Sequence, residues 1–362
     1  MDRPATPVFG EPGRLSYEEL RLAARNHGMP LEALGYPITP TGLHYLLTHY
    51  DVPAVDPGSW TLGLGGAVER ALRLTIADLR AMPTSRVIVT MECAGNGRAL
   101  LEPRPLSQPW LHEAVGTAEW AGVPLTTLLD EAGVAGDARE VVFSALDRGV
   151  ENGVEQSFER SLTVDEARRP EVLVALEMNG LPLLPQHGAP ARLIVPGWYG
   201  MASVKWLSAI TAVREPFTGP QQSWSYRLRQ DPSEAGVPLS RIAPHALMQP
   251  PGIPDFYTRD RVMDPGPTRL TGRVWSGGAA IDGVEVSVDD GATWADATLG
   301  AADLGPWAWR SWQFDWTPSG QGKHVLACRA RATEGDAADR PAWNLGGYVN
   351  PAPQRIAVTV RG

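Results

Sequence analysis

The sequence predicts an α+β protein of two domains: a mixed helix and strand domain over residues 1–245, followed by a β-sandwich over residues 246–362. Three observations predict this arrangement. A chain of 362 residues exceeds what one hydrophobic core usually organises. Before the boundary, short helix and strand patterns alternate without a regular strand–helix–strand repeat, which is typical of α+β folds. After the boundary, helix patterns end and only short alternating strands remain.

The first predicted element is a helix in SYEELRLAARNHG, residues 16–28. Ser16 has the character of an N-cap, and Glu19 stands where a capping box requires an acidic side chain. Gly28 is the predicted end of this helix, because glycine is common just after a helical C-terminus. A proline-rich loop follows.

Helices and strands then alternate through the rest of the first domain. The segment LTIADLRAM predicts a short helix that begins at Thr75 or Asp78, since both residue types are favoured at N-caps. Apolar runs rich in β-branched residues predict strands, and TVDEARRPEVLVALEMNG and ARLIVPG continue the mixture. The predicted order is strand 59–66, helix 74–82, strand 86–93, helix 123–134 and strand 139–146.

The sandwich is predicted from alternating segments that follow a proline-rich connector, PHALMQPPGIPDFYTRDRVMDPGP. Turns of Gly, Asp and Pro separate these segments, and DDG at 289–291 is typical of a hairpin turn. Thirteen tryptophans also favour a sandwich core or bulky pockets. The predicted strands lie in 269–278, 283–299, 307–316, 323–332 and 354–360.

Composition argues against several classes of partner. The net charge is −9 and no block of Lys or Arg occurs, so we expect no nucleic acid partner. No apolar run reaches the roughly 18 residues that span a bilayer, so we expect no membrane partner. The opening segment MDRPATPVFGEPGRLS has no apolar core of a secretory signal, which predicts a cytoplasmic protein, or a periplasmic one if a signal has been removed.

Two cysteines are too few for a disulfide framework. Cys328 lies in the alternating segment HVLACRARA and is interpreted as a core residue. Cys93 ends the apolar run RVIVTMEC and begins a turn, so it is a packing residue, a thiolate nucleophile or a ligand of a soft metal. The absence of CxxC and HExxH patterns argues against a closed zinc site, but a lone thiolate can bind a metal that a cofactor also holds.

A second segment rich in candidate ligands is QHGAPARLIVPGWYGMASVKWL, residues 186–207. It places His187, Arg192 and Lys205 among Gly and Pro turns. Each alone is typical of a surface or cap position. Together, cationic groups between tight turns favour an anionic ligand such as a phosphate.

The CAGN turn and the HGAPARLIVPG segment that ends in VKWL together resemble the sulfite oxidase family of molybdenum enzymes. In that family the cysteine of the turn is the protein's sulfur ligand to molybdenum, and the second segment holds the pterin cofactor. GTAEWAG and VALEMNG also resemble family sequence, while GRVWSGGAAIDGVEVSVDDGATW, WAWRSWQ and WNLGG resemble its immunoglobulin-like dimerisation domain. The resemblance covers roughly residues 37–362.

The resemblance assigns roles to individual positions. Cys93 falls on the molybdenum ligand. In HYLLTHYDVPAVDP, His49 takes the place of a family histidine, whereas Arg25 and His27 of RNHGMP look like the same element but fit its continuation poorly. The positions that fall on cofactor-contacting residues are His49, Cys93, Asp147, His187, Arg192, Ser203, Val204 and Lys205.

Three further positions fall on the family's substrate pocket: Tyr226, Arg98 and Trp110. The resemblance implies that Arg98 holds an anionic substrate and that Tyr226 donates a hydrogen bond and assists proton movement. The alternatives are a structural role for Tyr226 and a surface position for Arg98. Gly95 and Gly97 are expected to let the backbone pass close to the cofactor.

Two departures from the family concern the same pocket. Animal and plant members have an arginine at the positions of Leu47 and Gly346. A charge-assisted hydrogen bond to an anion contributes about 1.5–3 kcal/mol, so the loss of two cations removes substantial attraction for a dianion. Either Arg25 is recruited from elsewhere in the fold, or the substrate is a different or less charged oxyanion or sulfur compound.

The resemblance implies a molybdenum–molybdopterin oxidoreductase that transfers an oxygen atom to or from a small sulfur compound. Oxidation of sulfite to sulfate is the first interpretation, with electrons passed to an external acceptor such as a cytochrome. The sandwich implies a homodimer. Two alternatives stay open: the same cofactor acting on another sulfur oxyanion or reducing a sulfoxide, and a non-catalytic binding scaffold.

Overall fold

The structure is a computed structural model that describes residues 9–10, 14–151, 153–333 and 343–362. None of the described helices is long and apolar enough to cross a membrane. The α-helices are α1 Tyr17–Ala23, α2 Ile76–Ala81, α3 Leu125–Ala132, α4 Val164–Ala167 and α5 Pro220–Ser223. Short 3₁₀-helices occupy Leu31–Gly35, Thr41–Leu43, Arg98–Leu100, Pro185–His187 and Gly200–Ala202.

Strands account for most of the regular structure. The first part of the chain contains β1 Phe9–Gly10, β2 Thr61–Gly66, β3 Leu72–Thr75, β4 Ser85–Glu92, β5 Arg104–Pro105, β6 Val115–Pro124, β7 Glu140–Glu151, β8 Val154–Thr163, β9 Leu173–Met178, β10 Leu181–Pro182, β11 Arg192–Ile194, β12 Leu207–Val213, β13 Arg227–Leu228 and β14 Val237–Pro238. The second part contains β15 His245–Met248, β16 Ile253–Pro254, β17 Arg261–Met263, β18 Thr268–Trp275, β19 Ile281–Ser287, β20 Ala295–Asp296, β21 Thr298–Leu299, β22 Arg310–Trp316, β23 Gly322–Ala332 and β24 Gln354–Val360.

The N-termini of α1 and α2 are capped by reciprocal hydrogen bonds. The Glu19 backbone N–H donates to the Ser16 hydroxyl at 3.1 Å, and the Ser16 N–H donates to the Glu19 carboxylate at 2.9 Å. At α2 the N-cap is Thr75 rather than Asp78, and the Thr75 N–H donates to the Asp78 carboxylate at 2.8 Å. These bonds satisfy donors that a helix start leaves unpaired, so the predicted capping box is confirmed.

The predicted end of α1 at Gly28 is wrong, because the helix ends at Ala23. The side-chain amide of Asn26 donates to the Leu22 carbonyl at 3.0 Å, which satisfies a carbonyl of the last turn. His27 then forms an isolated antiparallel bridge with a later segment of the chain. A side-chain bond and a long-range bridge therefore end the helix before the glycine is reached.

The first part of the chain contains two strand pairs, β1–β5 and β13–β14, and two five-stranded sheets. One has the order β10–β9–β6–β4, with β11 also paired to β9, and its pairs are antiparallel. The other has the order β3–β2–β12–β7–β8, in which only the β2–β12 pair is parallel. This mixture confirms the predicted α+β class, because a doubly wound fold would have mostly parallel pairs.

The second part is a β-sandwich, as predicted. Its sheets have the orders β15–β18–β22–β21 and β16–β17–β24–β23–β19–β20. Their inward side chains form one buried cluster that includes Leu270, Val284 and Trp312. Cys328 is fully buried in that cluster and is a free thiol, which confirms its interpretation as a core residue.

The two parts share buried contacts. The core of the first part includes Phe143 and also Trp275 and Trp309, which belong to the sandwich segments. The indole N–H of Trp309 donates to the Pro37 carbonyl at 2.7 Å. Tryptophans from the second part thus complete the first core, and the domain boundary at residue 245 stays a prediction.

Candidate active site

A cavity that opens to solvent is lined by residues from both five-stranded sheets, including Met91 of β4 and Asp147 of β7. It brings together segments that are far apart in the sequence. Most of the residues singled out in the sequence lie on its wall. Those residues are His49, Cys93, Asp147, His187, Arg192, Ser203, Lys205 and Tyr226.

Cys93 lies at the cavity wall directly after β4 ends at Glu92. Its backbone N–H donates to the Ala114 carbonyl at 2.9 Å, and its own carbonyl accepts from the Asn96 N–H at 2.9 Å, which closes the turn. The thiol is free, and Cys93 is 8% exposed. Burial raises the pKa of this thiol, while the nearby Arg98 guanidinium acts in the opposite direction.

The Glu92 carboxylate holds the turn in place through buried hydrogen bonds. Its carboxylate is buried, accepts from the Asn96 amide at 3.0 Å and from the Trp275 indole N–H at 2.9 Å, and lies 2.8 Å from the His245 Nδ1. Asn96 belongs to the turn, whereas His245 and Trp275 lie on strands of the sandwich. The position of Cys93 is therefore fixed by groups from both parts of the chain.

The two glycines of the turn lie in close contact with other parts of the protein, and their predicted approach to a cofactor stays a prediction. A Cβ atom on Gly95 would lie 2.3 Å from a guanidinium nitrogen of Arg98. Gly97 has φ of +82°, which favours glycine, and a Cβ atom there would lie 2.9 Å from the Cβ of Asn350. Gly95 makes room for a side chain of the same turn, and Gly97 allows close contact with the C-terminal segment.

Arg192 and Lys205, beside His187, form a cationic wall of the cavity. Arg192 donates to the His187 carbonyl at 3.1 Å and to the Ser203 carbonyl at 2.9 Å. Lys205 donates to the Leu47 carbonyl at 2.8 Å and to the carbonyl before His187 at 3.2 Å. Both cations therefore bind backbone carbonyls, which hold them in place without neutralising their charge.

The pKa values of these groups show how strongly the wall disfavours further positive charge. Burial is the main cause in each case, and neighbouring cations add to it for His187 and Lys205. The pKa is lowered to about 3 for His187, to about 7 for Lys205 and to about 10 for Arg192. Two buried nitrogens in residues of the wall, His44 Nε2 and Arg192 Nε, have no hydrogen-bond partner among the described residues. A bound anion would relieve the repulsion, so the wall fits an anionic ligand.

Acidic and neutral groups also line the cavity, among them His49 and Asp147. His49 Nε2 lies 3.2 Å from the Glu151 carboxylate, which fixes the ring at the cavity edge. Asp147 is buried, and this burial raises the pKa of its carboxyl while Lys205 and His49 act against the rise. These groups offer hydrogen bonds to a polar ligand rather than a second cationic surface.

Three of the predicted site residues do not line the cavity: Arg98, Trp110 and Val204. Arg98 is buried behind the cysteine turn and donates to the Gly346 carbonyl at 3.0 Å and to the Gln108 carbonyl at 3.0 Å. Trp110 is buried beside Cys93 and helps to lower the pKa of its thiol. Val204 contributes its backbone, which accepts a hydrogen bond from a residue of β11.

The recruitment of Arg25 is not observed. The Arg25 guanidinium bonds the Tyr50 carbonyl and forms an ion pair with Asp51 at 3.0 Å, with 44% of its side chain exposed. Leu47 lines the cavity as an apolar residue. At Gly346, a Cβ atom would lie 2.1 Å from the ring of Tyr348, so an aromatic ring fills the space that a side chain would need.

Sequence reasoning missed three residues: His44, which lines the cavity, and Arg160 and Tyr348, which contact the ring of the cavity residue Tyr226. The rings of His44 and His187 are perpendicular with centroids 5.9 Å apart, and burial lowers the pKa of His44 to about 4. Arg160 is a charged residue on the inward face of β8, a break in the alternating pattern that could have been noticed. Nothing in the sequence around Tyr348 marks it as a site residue.

Among the described residues, no group of three or more His, Cys, Asp or Glu side chains is arranged to hold a metal ion. Cys93 is the one thiol at the cavity wall. A soft metal here would therefore need most of its ligands from a cofactor, as a lone thiolate allows.

Comparison with known proteins identifies both parts of the chain. Residues 49–221 match the oxidoreductase molybdopterin binding domain, and residues 258–361 match the Mo-co oxidoreductase dimerisation domain. The chain is 32% identical to mitochondrial sulfite oxidase of Homo sapiens over 349 residues, which covers 89% of this chain and 62% of that protein. It is 31% identical to sulfite oxidase of Gallus gallus over 372 residues, which covers 96% of this chain and 79% of that protein.

A solved structure matches the fold over almost the whole chain. The sulfane dehydrogenase SoxCD from Paracoccus pantotrophus aligns with a TM-score of 0.79 and 24% identity, covering 99% of this chain and 90% of that chain. This chain spans about three fifths of the length of the human relative, 62%.

Proposed function

We propose, since this chain belongs to the sulfite oxidase family of molybdopterin oxidoreductases, that it oxidises sulfite to sulfate and passes two electrons to an external acceptor. The observation that supports this most directly is one cavity that joins a free thiol, Cys93, to a buried cationic wall. A thiolate suits molybdenum, and the wall suits the phosphate of a pterin.

The residues at the cavity fit the molybdenum–pterin cofactor. When bound, this cofactor supplies oxygen-atom transfer and two-electron redox chemistry. Cys93 would hold the metal through its sulfur, and His187, Arg192 and Lys205 would hold the anionic end of the pterin. The positions proposed to complete the pterin contacts are His49, Asp147, Ser203 and Val204.

Tyr226 is proposed to bind the substrate. It lines the cavity together with Cys93, and its hydroxyl makes no hydrogen bond to the described residues. A phenol without an acceptor can donate to a substrate oxygen and hold a proton at its Oη. Arg98 and Trp110 support the turn that carries Cys93, so their proposed role is to hold the thiolate side of the site.

A less charged sulfur compound is the second candidate substrate. Leu47 presents an apolar surface to the cavity, and Arg25 lies in a surface ion pair away from it. Two N–H groups of Arg98 also donate to backbone carbonyls and are not available to a substrate. These contacts leave less positive charge for a dianion than the family resemblance implies.

Steady-state turnover separates the two candidates. Protein expressed with excess molybdate is assayed for sulfite oxidation with ferricyanide as acceptor, and separately for reduction of a neutral sulfoxide with a reduced viologen. Oxidation of sulfite supports the first proposal, whereas sulfoxide turnover without sulfite turnover supports the second. Protein without molybdenum would instead support a non-catalytic scaffold.

The sandwich is proposed to form a homodimer, because residues 258–361 match a dimerisation domain. The electron acceptor is proposed to be a separate protein such as a cytochrome. Sedimentation equilibrium at micromolar concentration tests the dimer, and a mass equal to a single chain contradicts it.

A further inference from the structure

Arg160 is a buried cation that no carboxylate of the described part of the chain neutralises. It is 2% exposed on the inward face of β8. Among the described residues it forms no ion pair: one guanidinium N–H donates to the Gln221 carbonyl, and Nε has no partner. Burial lowers the pKa of Arg160 to about 10, and nearby tyrosines oppose this effect. A buried guanidinium without a counter-charge is costly unless a ligand supplies one.

Arg160 forms one end of a stack of four side chains. Its Cζ lies 5.6 Å from the ring centroid of Tyr226, and the ring centroids of Tyr226 and Tyr348 are 5.5 Å apart. The Cζ of Arg98 lies 5.3 Å from the ring centroid of Tyr348 at the other end. Each tyrosine ring therefore contacts one guanidinium and the other ring, which restricts its orientation.

Tyr226 is the member of this stack that lines the cavity. Its φ of +50° is uncommon for a residue with a side chain, and such conformations persist mainly where the surroundings enforce them at functional sites. Its hydroxyl is free to donate, as described above. The stack thus holds a hydrogen-bond donor at the wall that also carries Cys93.

Resting on the proposed function, we propose that Arg160 is a positioning residue for the substrate anion and acts through Tyr226. Stacking fixes the Tyr226 ring, and the guanidinium behind it withdraws electron density from the ring, which makes the hydroxyl a stronger donor. The same buried charge attracts an oxyanion into the cavity. The class of ligand that fits is therefore a small oxyanion of sulfur.

Tyr348 lies between Arg98 and Tyr226 in this stack. Its ring fills the space beside the Gly346 backbone and separates Arg98 from Tyr226. Arg98 therefore contacts the ring of Tyr348, whereas Arg160 contacts the ring of Tyr226, which lines the cavity. Arg160, rather than Arg98, is the cation whose removal changes anion binding most.

The test uses the molybdenum-loaded enzyme and two variants of the same residue. Arg160→Gln removes the charge, and Arg160→Lys restores it. Isothermal titration with sulfate measures anion affinity without turnover, and steady-state assays give KM and kcat for sulfite. We expect Arg160→Gln to raise both the sulfate Kd and the sulfite KM by about tenfold or more, with kcat changed less, and Arg160→Lys to recover most of the affinity.

Matched measurements separate this effect from damage to the fold. Arg148→Gln, an exposed arginine on the neighbouring strand β7, is the control and leaves the sulfate Kd unchanged. Molybdenum content and Tm are measured for every variant. If Arg160→Gln does not fold, Tyr226→Phe removes only the hydroxyl through which Arg160 acts, and we expect its sulfate Kd to rise at least fivefold.

The outcomes separate this proposal from the proposed function. A sulfate Kd in Arg160→Gln equal to that of the parent overturns the role of Arg160, even if sulfite is turned over. A parent enzyme that binds no sulfate overturns it as well. If the parent oxidises no sulfite but loses sulfate affinity on Arg160→Gln, the anion-binding role is supported while the proposed reaction fails.

Discussion

Cys93 is the residue on which the proposed chemistry depends. Its thiol is buried at the end of a strand, and its pKa is raised by burial, so an empty site favours the protonated form. Arg98 and Trp110 oppose that effect. These two groups reduce the rise without reversing it, so a bound metal would be needed to favour the thiolate, because thiolates bind soft metals far better than thiols do.

Cys93→Ser tests the metal ligand directly. A serine hydroxyl has almost the same size but is a hard ligand, so we expect sulfite oxidation to fall by at least about 100-fold. Cys328→Ser is the matched control, because that thiol is buried in the sandwich core away from the cavity. Metal analysis and X-ray absorption at the molybdenum edge follow the sulfur ligand, and full activity in Cys93→Ser would show that the assignment is wrong.

His44 and His187 make the cofactor-free protein sensitive to acid. Burial lowers their folded-state pKa values to about 4 and about 3 from an ordinary value of 6.5. Between pH 6.5 and these values the unfolded chain binds more protons, so the free energy of unfolding falls as the pH falls. We expect a loss of up to about 3 kcal/mol from each histidine on going from pH 7 to pH 4.

Urea denaturation of the cofactor-free protein at several pH values measures this dependence. The double variant His44→Gln, His187→Gln should show a shallower loss of stability on acidification than the parent. His324→Gln, in the sandwich strand β23, controls for the loss of a histidine elsewhere in the chain. Equal slopes for the parent and the double variant would contradict the assignment.

At the scale of single elements, the turn after β4 is the most constrained segment of the site. Its two glycines fit closely against Arg98 and Asn350. Arg98 in turn is held by two backbone carbonyls and cannot move away easily. The turn can therefore adopt this geometry only because residue 95 is a glycine without a side chain.

Gly95→Ala should disturb this turn. The new Cβ would lie 2.3 Å from the Arg98 guanidinium, so we expect a loss of about 1–3 kcal/mol in the free energy of unfolding and lower molybdenum content. Gly65→Ala on strand β2 is the control, because nothing lies within 4 Å of its new Cβ. Equal stabilities and metal contents for the two variants would mean that the turn relaxes without cost.

Elements set by local chemistry could be predicted from the sequence, and those set by distant contacts could not. The start of α1 was predictable because Ser16 and Glu19 bond each other across one helical turn. Its end was not, because the bridge at His27 depends on a segment from another loop. The sandwich strands were predictable because each carries its own alternation of inward and outward residues.

The same limit applies to the site. His187, Arg192 and Lys205 lie in one segment, so their joint role was visible in the sequence. Arg160 meets Tyr226 only because β8 and the segment after α5 come together in the fold. Such a contact depends on sheet order and register, which residue spacing does not reveal.

At the scale of the whole molecule, Glu92 links the cavity to the sandwich. Its carboxylate receives hydrogen bonds from the turn and from Trp275 and contacts His245 across the two parts of the chain. Buried carboxylates with several partners stabilise strongly, because removal of the acceptor leaves each donor unpaired.

Glu92→Gln should therefore lower the free energy of unfolding by about 2–3 kcal/mol, because the new amide cannot accept from all three partners. Asp315→Asn removes one member of an exposed ion pair with Arg269 and serves as the control, with no measurable change expected. Guanidinium denaturation measures both variants. A stability of Glu92→Gln equal to that of the parent would show that these hydrogen bonds do not contribute to the free energy of unfolding.

The link at Glu92 also constrains how such a protein can be recombined. An exchange of the sandwich with a relative would separate Glu92 from His245 and Trp275, and Gly97 from Asn350. A chimera cut between the two parts therefore needs these residues transferred as a set. The smallest interchangeable unit at the metal centre is not a contiguous stretch of chain but a group of side chains drawn from both ends of it.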